Sequence, residues 1–287
     1  MGTVSIIGCG SVGRAMGVGL REAGYVIAAL ADRRKASARA ARALIGQGTV
    51  AGGAAAARAA RIVFITTGDS AIESVCAATA RAGGFRAGQI VLHCSGALTA
   101  DALDSARRRG AAVGSLHPLQ SFARSNDASL RGVWFSFQGD AAAKRTAREI
   151  TKRLGGHFIE ISAEAKPLYH AAAVIASNYL VALTDAASSL LSASGAPVGR
   201  SVEALLPLIL GTIGNLRAVG LPQALTGPIA RGDAAIVAGH VEALRVRAPE
   251  LLELYCVMGL RTLSVARKKG RLTASQCRRI ERILSVA

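Results

Sequence analysis

Residues 3–13 read TVSIIGCGSVG, a short apolar run followed by glycines at positions 8, 10 and 13. The run predicts a buried strand, and the apolar spacing that continues to Ala23 predicts a helix directly after it. Glycines at this spacing let a pyrophosphate approach the backbone, where the helix N-terminus offers free N–H groups and a positive dipole end. The stretch therefore predicts the strand, turn and helix that open a dinucleotide-binding fold. The residues predicted to contact the dinucleotide are Gly8, Gly10, Ser11, Val12 and Gly13.

The end of the second predicted strand bears on the choice of dinucleotide. Asp32 follows the apolar run at 25–31, and Arg33 and Arg34 come directly after it. A carboxylate there can accept hydrogen bonds from a ribose 2′-hydroxyl, which favours NAD. Two guanidinium groups can bind a 2′-phosphate, which favours NADP. Because two cations outweigh one carboxylate for a doubly charged phosphate, the sequence favours NADP and leaves NAD possible.

Strand-like and helical patterns alternate along the first half of the chain and then stop alternating. The strand-like runs lie at residues 25–31, 61–67, 89–93, 111–116, 133–138 and 157–161. Their alternation with alanine-rich helical stretches predicts an α/β fold with a doubly wound parallel sheet. After Ser162 only helical windows follow, at 166–193, 200–219, 233–244, 249–269 and 274–286. We therefore predict a Rossmann domain at 1–161 and an all-α domain at 162–287.

The charge and the apolar segments of the chain indicate which kinds of partner it is expected to bind. The formal net charge is +17, but the basic residues are scattered and not interleaved with aromatic residues, so no nucleic-acid partner is expected. The apolar run at 171–183 ends at Thr184 and Asp185 and is too short to span a bilayer, so no membrane partner is expected. The predicted C-terminal helices are apolar on more than one face, which predicts a homodimer formed through that domain.

Cysteine and histidine usage bears on metals and on the compartment. The sequence contains no CxxC pair and no HExxH motif, so no metal site is predicted. Its five scattered cysteines suit a reducing cytoplasm better than a disulfide framework. The chain also opens on the predicted strand without the features of a signal peptide, which favours a cytoplasmic location.

Three further segments carry candidate chemistry. LHCSGAL (92–98) and SLHPLQSF (115–122) place Ser95 and His117 at the carboxyl ends of predicted strands, where ligands bind in open α/β sheets. KPLYHAAAVIASNYL (166–180) places Lys166, His170 and Asn178 near one face of a predicted helix. LTGPIARGD (225–233) carries Arg231, a group suited to holding a substrate carboxylate. A metal-free site that binds a small carboxylate is therefore predicted.

Taken together, the motifs GCGSVG, HCSGAL, LHPLQSF, YHAAAVIASNYLVAL and LTGPIARGD resemble a bacterial family along nearly the whole chain. That family has a Rossmann-like NAD(P)-binding half and a helical half of poorly assigned function, and it includes an alternative ketopantoate reductase. More broadly, the chain resembles the 6-phosphogluconate dehydrogenases, ketopantoate reductases and pyrroline-5-carboxylate reductases. The resemblance implies that Thr67, the last residue of the strand-like run at 61–67, contacts the cofactor through its backbone. The sequence lacks the glycine-serine loop of the pyrroline-5-carboxylate reductases, which disfavours an imine substrate.

The resemblance also implies the catalytic roles. Several of these reductases carry a catalytic lysine early in the first helix of the second domain, with a polar partner one turn later. Lys166 and His170 match that placement, although most relatives have asparagine where His170 stands. We therefore predict an NADPH-dependent reductase of a small 2-keto acid, ketopantoate first, with Lys166 or else His170 as the acid. Asn178, Ser95 and His117 are predicted to position the substrate.

Two alternatives stay open at this point. The pair His117-Pro118 resembles one in prephenate dehydrogenases, which work in the oxidative direction. A non-catalytic sensor that binds a dinucleotide is the other alternative. The polar groups gathered beside the predicted cofactor site favour an enzyme over a sensor.

Overall fold

The structure is a computed structural model that describes residues 2–122, 129–195 and 199–285. The chain divides into two compact units, Met1–Ser177 and Asn178–Ala287. This division falls later than the boundary predicted at residue 161. The difference is the helix Lys166–Ala176, because the buried Lys166 hydrogen-bonds to residues that follow or lie within strands of the first unit.

The first unit is an eight-stranded sheet flanked by helices. Its strands are β1 (Thr3–Ile7), β2 (Val26–Ala31), β3 (Thr49–Val50), β4 (Ile62–Ile65), β5 (Ile90–His93), β6 (Ala112–Pro118), β7 (Trp134–Gly139) and β8 (His157–Glu160). Its helices are α1 (Ser11–Glu22), α2 (Lys35–Ile45), α3 (Gly53–Arg58), α4 (Asp69–Arg81), α5 (Asp104–Arg107), α6 (Ala141–Arg153) and α7 (Lys166–Ala176). The short strand β3, only two residues long, was not predicted.

The strand order is β3-β2-β1-β4-β5-β6-β7-β8, with every neighbouring pair parallel except β6 and β7. This confirms the predicted α/β class and the doubly wound sheet, with one antiparallel pair added. Because β1, β4, β5 and β6 are parallel neighbours, their carboxyl ends meet at one edge of the sheet, where ligands bind in such folds.

Alternation along the strands explains why both faces of this sheet are covered. In β4, Ile62 and Phe64 belong to one buried cluster, whereas Val63 and Ile65 belong to a second. Successive strand residues point to opposite faces, so a strand that is apolar at every position must be buried on both. The helices that cover the two faces therefore hold the carboxyl edge of the sheet in place.

The second unit is helical among the residues that the structure describes. Its helices are α8 (Asn178–Ala193), α9 (Ser201–Val219), α10 (Pro228–Arg231), α11 (Ala234–Arg247), α12 (Leu252–Lys269) and α13 (Ala274–Leu284). The side chain of Thr273 accepts a hydrogen bond from the Gln276 N–H, and the Gln276 side-chain oxygen accepts one from the Thr273 N–H. These two hydrogen bonds form a capping box at the start of α13. The core of this unit is built from α10 to α13, with Val237, Leu263 and Ile280 at its centre.

Helices α8 and α9 contribute little to that core. No residue of α8 is buried, and in α9 only Ser201 is. Lys166–Ala193 and Ser201–Val219 are both long and apolar enough to cross a membrane by length and composition alone. Leu208 and Leu210 of α9 are 68% and 63% exposed, so these two helices carry apolar side chains that the chain itself leaves uncovered.

Candidate functional site

The turn between β1 and α1 has the geometry of a phosphate-binding loop. Gly8 has a φ of +107°, and a Cβ there would lie 2.6 Å from the Thr67 backbone nitrogen. A Cβ on Gly13 would collide with the carbonyl oxygen of Gly8. At Gly10 a Cβ would meet nothing within 4 Å, so this glycine leaves open space above the turn. The first and third glycines are thus required by packing, and the second permits close approach of a ligand.

Asp32 fastens this loop to the end of β2. One of its carboxylate oxygens accepts the Cys9 N–H at 2.8 Å, and the other accepts the Arg34 N–H at 2.8 Å. The side chains of Arg33 and Arg34 are exposed. On the other side of the loop, the Thr66 hydroxyl donates to the Gly8 carbonyl at 2.5 Å. The predicted cofactor residues Gly8, Gly13, Asp32 and Thr67 therefore lie in one connected group.

Lys166 is buried at the carboxyl edge of the sheet, with 0% of its surface exposed. Its ammonium donates to the Ser115 hydroxyl at 2.8 Å and to the Ser95 carbonyl at 3.3 Å. Both partners are neutral, so they satisfy the ammonium as a donor without cancelling its charge. Burial lowers the pKa of Lys166 to about 8, and the negative charge of Asp69 acts in the opposite direction. A lysine in this setting can release a proton near neutral pH.

The segment after β5 forms a tight turn around Ser95. The Ser95 hydroxyl donates to Asp69 at 2.7 Å and accepts the Ala97 and Leu98 N–H groups at 3.1 and 3.0 Å. One donor and two acceptor positions are all that a hydroxyl has. The Ser95 hydroxyl is therefore fully used within this turn, and the substrate-binding role predicted for Ser95 stays a prediction.

His93 supports the same turn from within the sheet. It is fully buried, its Nδ1 accepts the Ser95 N–H at 3.1 Å, and its Nε2 lies 3.0 Å from the Thr99 carbonyl. Burial lowers the pKa of His93 to about 4, so the ring is neutral near pH 7 and Nε2 carries the proton donated to Thr99. Both ring nitrogens are therefore used by the backbone.

Two other imidazoles meet over Gly96. His117 Nδ1 lies 2.8 Å from the Tyr169 hydroxyl, and the two rings pack edge to face with centroids 5.6 Å apart. A Cβ on Gly96 would lie 2.8 Å from His170 Nδ1 and 3.0 Å from His117 Nε2, so only glycine leaves both rings this close to the turn. Burial lowers the pKa of His117 to about 4, and the charges of Lys166 and His170 act in the same direction.

The structure brings together four of the predicted site residues: Lys166, His170, His117 and Ser95. Asn178 starts α8 and is exposed, because α7 ends at Ala176 and the helical spacing that related Asn178 to Lys166 is interrupted. Arg231 ends α10 and its side chain, 61% exposed, bonds to Asp233 at 2.9 Å. Asn178 and Arg231 belong to the second unit, and their roles stay predictions.

The sequence did not lead us to predict Ser115, Tyr169, Asp69 and Gly96, which lie against the predicted site residues. A usable signal existed for two of them. Ser115 stands two residues before His117 on β6, which places both side chains on the same side of the strand. Tyr169 stands three residues after Lys166 on α7, which places both near one helix face.

Comparison with known families agrees with this division of the chain. Residues 2–118 match the model of a Rossmann-like domain, and residues 133–262 match "Domain of unknown function (DUF2520)". Each match covers less than half of the chain, and the two lie one after the other along it. The DUF2520 match starts at β7 and runs into α12, so it includes Lys166, Tyr169 and His170. No curated protein sequence matches the chain.

Solved structures with the same fold as this chain cover nearly its whole length. BF3122 from Bacteroides fragilis, provisionally named an NADP oxidoreductase, is 20% identical with a TM-score of 0.75, covering 92% of this chain and 98% of its own. Protein TM1727 from Thermotoga maritima is 23% identical with a TM-score of 0.72, covering 93% and 100%. A pyrroline-5-carboxylate reductase from Coxiella burnetii is 18% identical with a TM-score of 0.62, covering 94% and 98%. At these identities the likeness establishes the fold.

The residues of the glycine-rich turn fit a dinucleotide. Gly10 leaves the approach to the N-terminus of α1 open, and that helix has no side-chain cap on its first N–H groups. Beside Gly8, the buried Thr67 hydroxyl has no hydrogen-bond partner among the residues described, so a polar group is available there for a ligand. In the same parts of the chain, no group of three or more His, Cys, Asp or Glu side chains could hold a metal ion.

Proposed function

We propose that the protein is an NAD(P)-dependent oxidoreductase that uses NADPH to reduce a small carbonyl compound. The observation that carries this proposal is the buried ammonium of Lys166, held by neutral oxygens on the sheet edge that also bears the glycine-rich turn. Reduction of a carbonyl needs hydride at carbon and a cation or acid at oxygen. The names of the structures with this fold, which include NADP oxidoreductases and reductases, support the same class.

In this proposal the glycine-rich turn holds the pyrophosphate, and Arg33 and Arg34 hold the 2′-phosphate. When bound, the nicotinamide supplies the hydride. Lys166 is close enough to His117 for its charge to lower the pKa of that imidazole, so the same charge acts on an oxygen placed beside the ring. We propose that Lys166 stabilises the alkoxide that develops on the substrate and supplies its proton. His170 and His117 then border the place where the carbonyl binds.

For the substrate we propose a small 2-keto acid, with ketopantoate first, and Arg231 as the group that holds the carboxylate. The test is NADPH oxidation with a panel of 2-keto acids that includes ketopantoate. A cyclic imine and prephenate with NADP serve as comparison substrates. Turnover of a keto acid supports the proposal. If the protein turns over only the imine, or only oxidises prephenate, then that compound's class replaces the 2-keto acids as the proposed substrate. If it binds the dinucleotide but turns over no compound, it is a sensor.

Cofactor preference can be tested separately. Replacing both Arg33 and Arg34 with alanine should weaken NADPH binding by about 1.5–3 kcal/mol per lost charge-assisted hydrogen bond. NADH binding should change far less, since NADH lacks the 2′-phosphate. Fluorescence titration with both nucleotides measures the effect. Replacing Arg39 on α2 and Arg81 on α4, two other exposed arginines, with alanine is the matched control for the loss of two charges. Equal losses for the two nucleotides would show that Asp32 decides the preference.

We also propose that the protein works in the cytoplasm as a homodimer formed through α8 and α9. Both helices carry large apolar side chains that are exposed in the single chain, among them Val181, Leu206, Leu208, Leu210 and Leu216. Exposed apolar side chains in this number are typical of a surface that another protein covers. A second copy of the chain presents the same surface and can cover it across a two-fold axis.

A further inference from the structure

The hydrogen bond between Tyr169 and His117 bears on which ring nitrogen of His117 carries the proton, as well as on the position of α7. His117 has two ring nitrogens with different surroundings. Nδ1 faces the Tyr169 hydroxyl at 2.8 Å, whereas Nε2 lies beside Gly96. His170 Nδ1 lies near the same point, and its distance from His117 Nε2 is at most 5.8 Å, the sum of the 2.8 and 3.0 Å that separate each nitrogen from a Cβ on Gly96. The two imidazole nitrogens therefore both lie close to Gly96.

The protonation of His117 follows from its surroundings. Lys166, His170, Asp69 and His93 are the charged and titratable groups that act on it, and burial has the largest effect. Together they lower the pKa of His117 to about 4, so the neutral ring carries a single N–H near pH 7. Burial also raises the pKa of Tyr169, which therefore stays a phenol with a proton to donate.

Which nitrogen carries that proton depends on Tyr169. The phenol donates well and an unprotonated imidazole nitrogen accepts well, so we infer that Tyr169 donates to Nδ1 of His117. A neutral ring that accepts at Nδ1 must carry its hydrogen on Nε2. The Nε2–H, which lies close to Gly96, is then the ring donor that Tyr169 leaves free. His170 Nδ1, also close to Gly96, is buried and has no hydrogen-bond partner among the described residues.

We propose that Tyr169 is a positioning residue that holds neutral His117 in the tautomer protonated at Nε2. His117 then presents a hydrogen-bond donor to the carbonyl oxygen of the substrate beside Gly96. This inference rests on the proposed carbonyl reductase function and adds to it. The positive charge of Lys166 attracts the carbonyl oxygen of the substrate, and the N–H of His117 donates a hydrogen bond to it. Both interactions stabilise the negative charge that develops on that oxygen during reduction.

The chain contains a matched control for this pair. In the second unit, His240 Nδ1 lies 2.8 Å from the Tyr255 hydroxyl, with ring centroids 5.9 Å apart and the same edge-to-face geometry. Neither His240 nor Tyr255 is among the predicted or proposed site residues. Tyr255→Phe therefore removes the same kind of hydrogen bond without touching the proposed chemistry.

The experiment combines histidine side-chain ¹⁵N NMR with kinetics on the full-length protein. In the wild type, His117, assigned by loss of its signal in His117→Gln, should show the tautomer protonated at Nε2. Tyr169→Phe should shift part of the ring population to the Nδ1-protonated form and lower kcat about tenfold, with KM for NADPH unchanged. Tyr255→Phe should alter the His240 signal and leave kcat unchanged.

The outcomes separate this inference from the proposed function. A wild-type His117 protonated at Nδ1 overturns it, as does a Tyr169→Phe variant with an unchanged tautomer. A changed tautomer with unchanged kcat overturns the positioning role. If the wild type reduces no carbonyl compound at all, the proposed function fails and with it the role of the donor. The NMR result still decides whether Tyr169 sets the tautomer of His117.

Discussion

Replacing Lys166 with methionine should lower turnover by roughly 10²–10⁴-fold, the usual range for the loss of a general acid. Methionine keeps most of the volume of the lysine stem and removes the charge. Binding of NADPH should be nearly unchanged, because the glycine-rich turn and the arginines after β2 are untouched. Steady-state kinetics with the best keto acid, together with a nucleotide titration, measure both quantities.

The stability of this variant distinguishes catalysis from a structural role. Burial lowers the pKa of Lys166 in the folded protein to about 8, below the ordinary lysine value of 10.5, so folding disfavours the charged form. That destabilisation is fully present below about pH 8 and is lost as the pH rises toward 10.5. Lys166→Met should therefore melt no lower than the wild type at pH 7. A clear fall in melting temperature would show that Lys166 stabilises the packing of α7 against the sheet.

The pH dependence of the rate gives a second check on the same residue. Turnover by the wild type should fall as the pH rises through about 8, since the proton on Lys166 is then lost. The residual activity of Lys166→Met should lack this step. His170→Asn should have a smaller effect on kcat, because the resemblance places asparagine there in most relatives. A normal Lys166→Met enzyme with an inactive His170→Asn enzyme would reverse the assignment of the acid.

Introducing charge on α9 should convert a dimer into a monomer. Leu206 and Leu210 are 45% and 63% exposed and stand one helical turn apart. The double variant Leu206→Glu, Leu210→Glu would bury two unpaired carboxylates in the proposed interface, which should weaken association by about 10²-fold or more. Light scattering after size exclusion should give about twice the 29.3 kDa of one chain for the wild type, and one chain's mass for the variant.

Matched charges elsewhere control for a general effect on solubility. Ile236 and Val246 of α11 are 46% and 72% exposed, and replacing both with glutamate should leave the mass of the dimer unchanged. A wild-type protein that is monomeric in plain buffer would refute the dimer. If it needs detergent, or sediments with phospholipid vesicles, then α8 and α9 bind a membrane, as their length and composition allow.

The fold was predictable because its signals are local. The turn itself needs Gly8 and Gly13, and an apolar run before it and a helical pattern after it mark the flanking elements. Each strand from β4 to β8 could be recognised from a short run rich in apolar or β-branched residues. The two-residue β3 carries too few residues for any period to show. The antiparallel direction of β7 depends on the path of the connection before it, and a strand's own residues do not encode that path.

The site was predictable only in part, because hydrogen-bond partners come from packing. Lys166 and His117 were identified as candidates from their places in the chain. That Tyr169 would meet His117, 52 residues earlier, depends on how α7 lies against β6. The engagement of the Ser95 hydroxyl by Asp69 and two N–H groups depends on the shape of one turn. Position along a strand predicts which edge a side chain reaches, but not whether its polar atoms are already in use.

The two backbone hydrogen bonds that Asp32 accepts limit how the nucleotide preference of this protein can be redesigned. Asp32→Ala would remove a competitor for a 2′-phosphate, but it would also release Cys9 in the glycine-rich turn. Asn or Ser, which can still accept an N–H, are therefore the better first choices for an engineer. The exposed side chains of Arg33 and Arg34 make no hydrogen bond of this kind to the residues that the structure describes. Substitutions at Arg33 and Arg34 therefore leave the fastening of the glycine-rich turn intact, whereas a substitution at Asp32 that loses the acceptor does not.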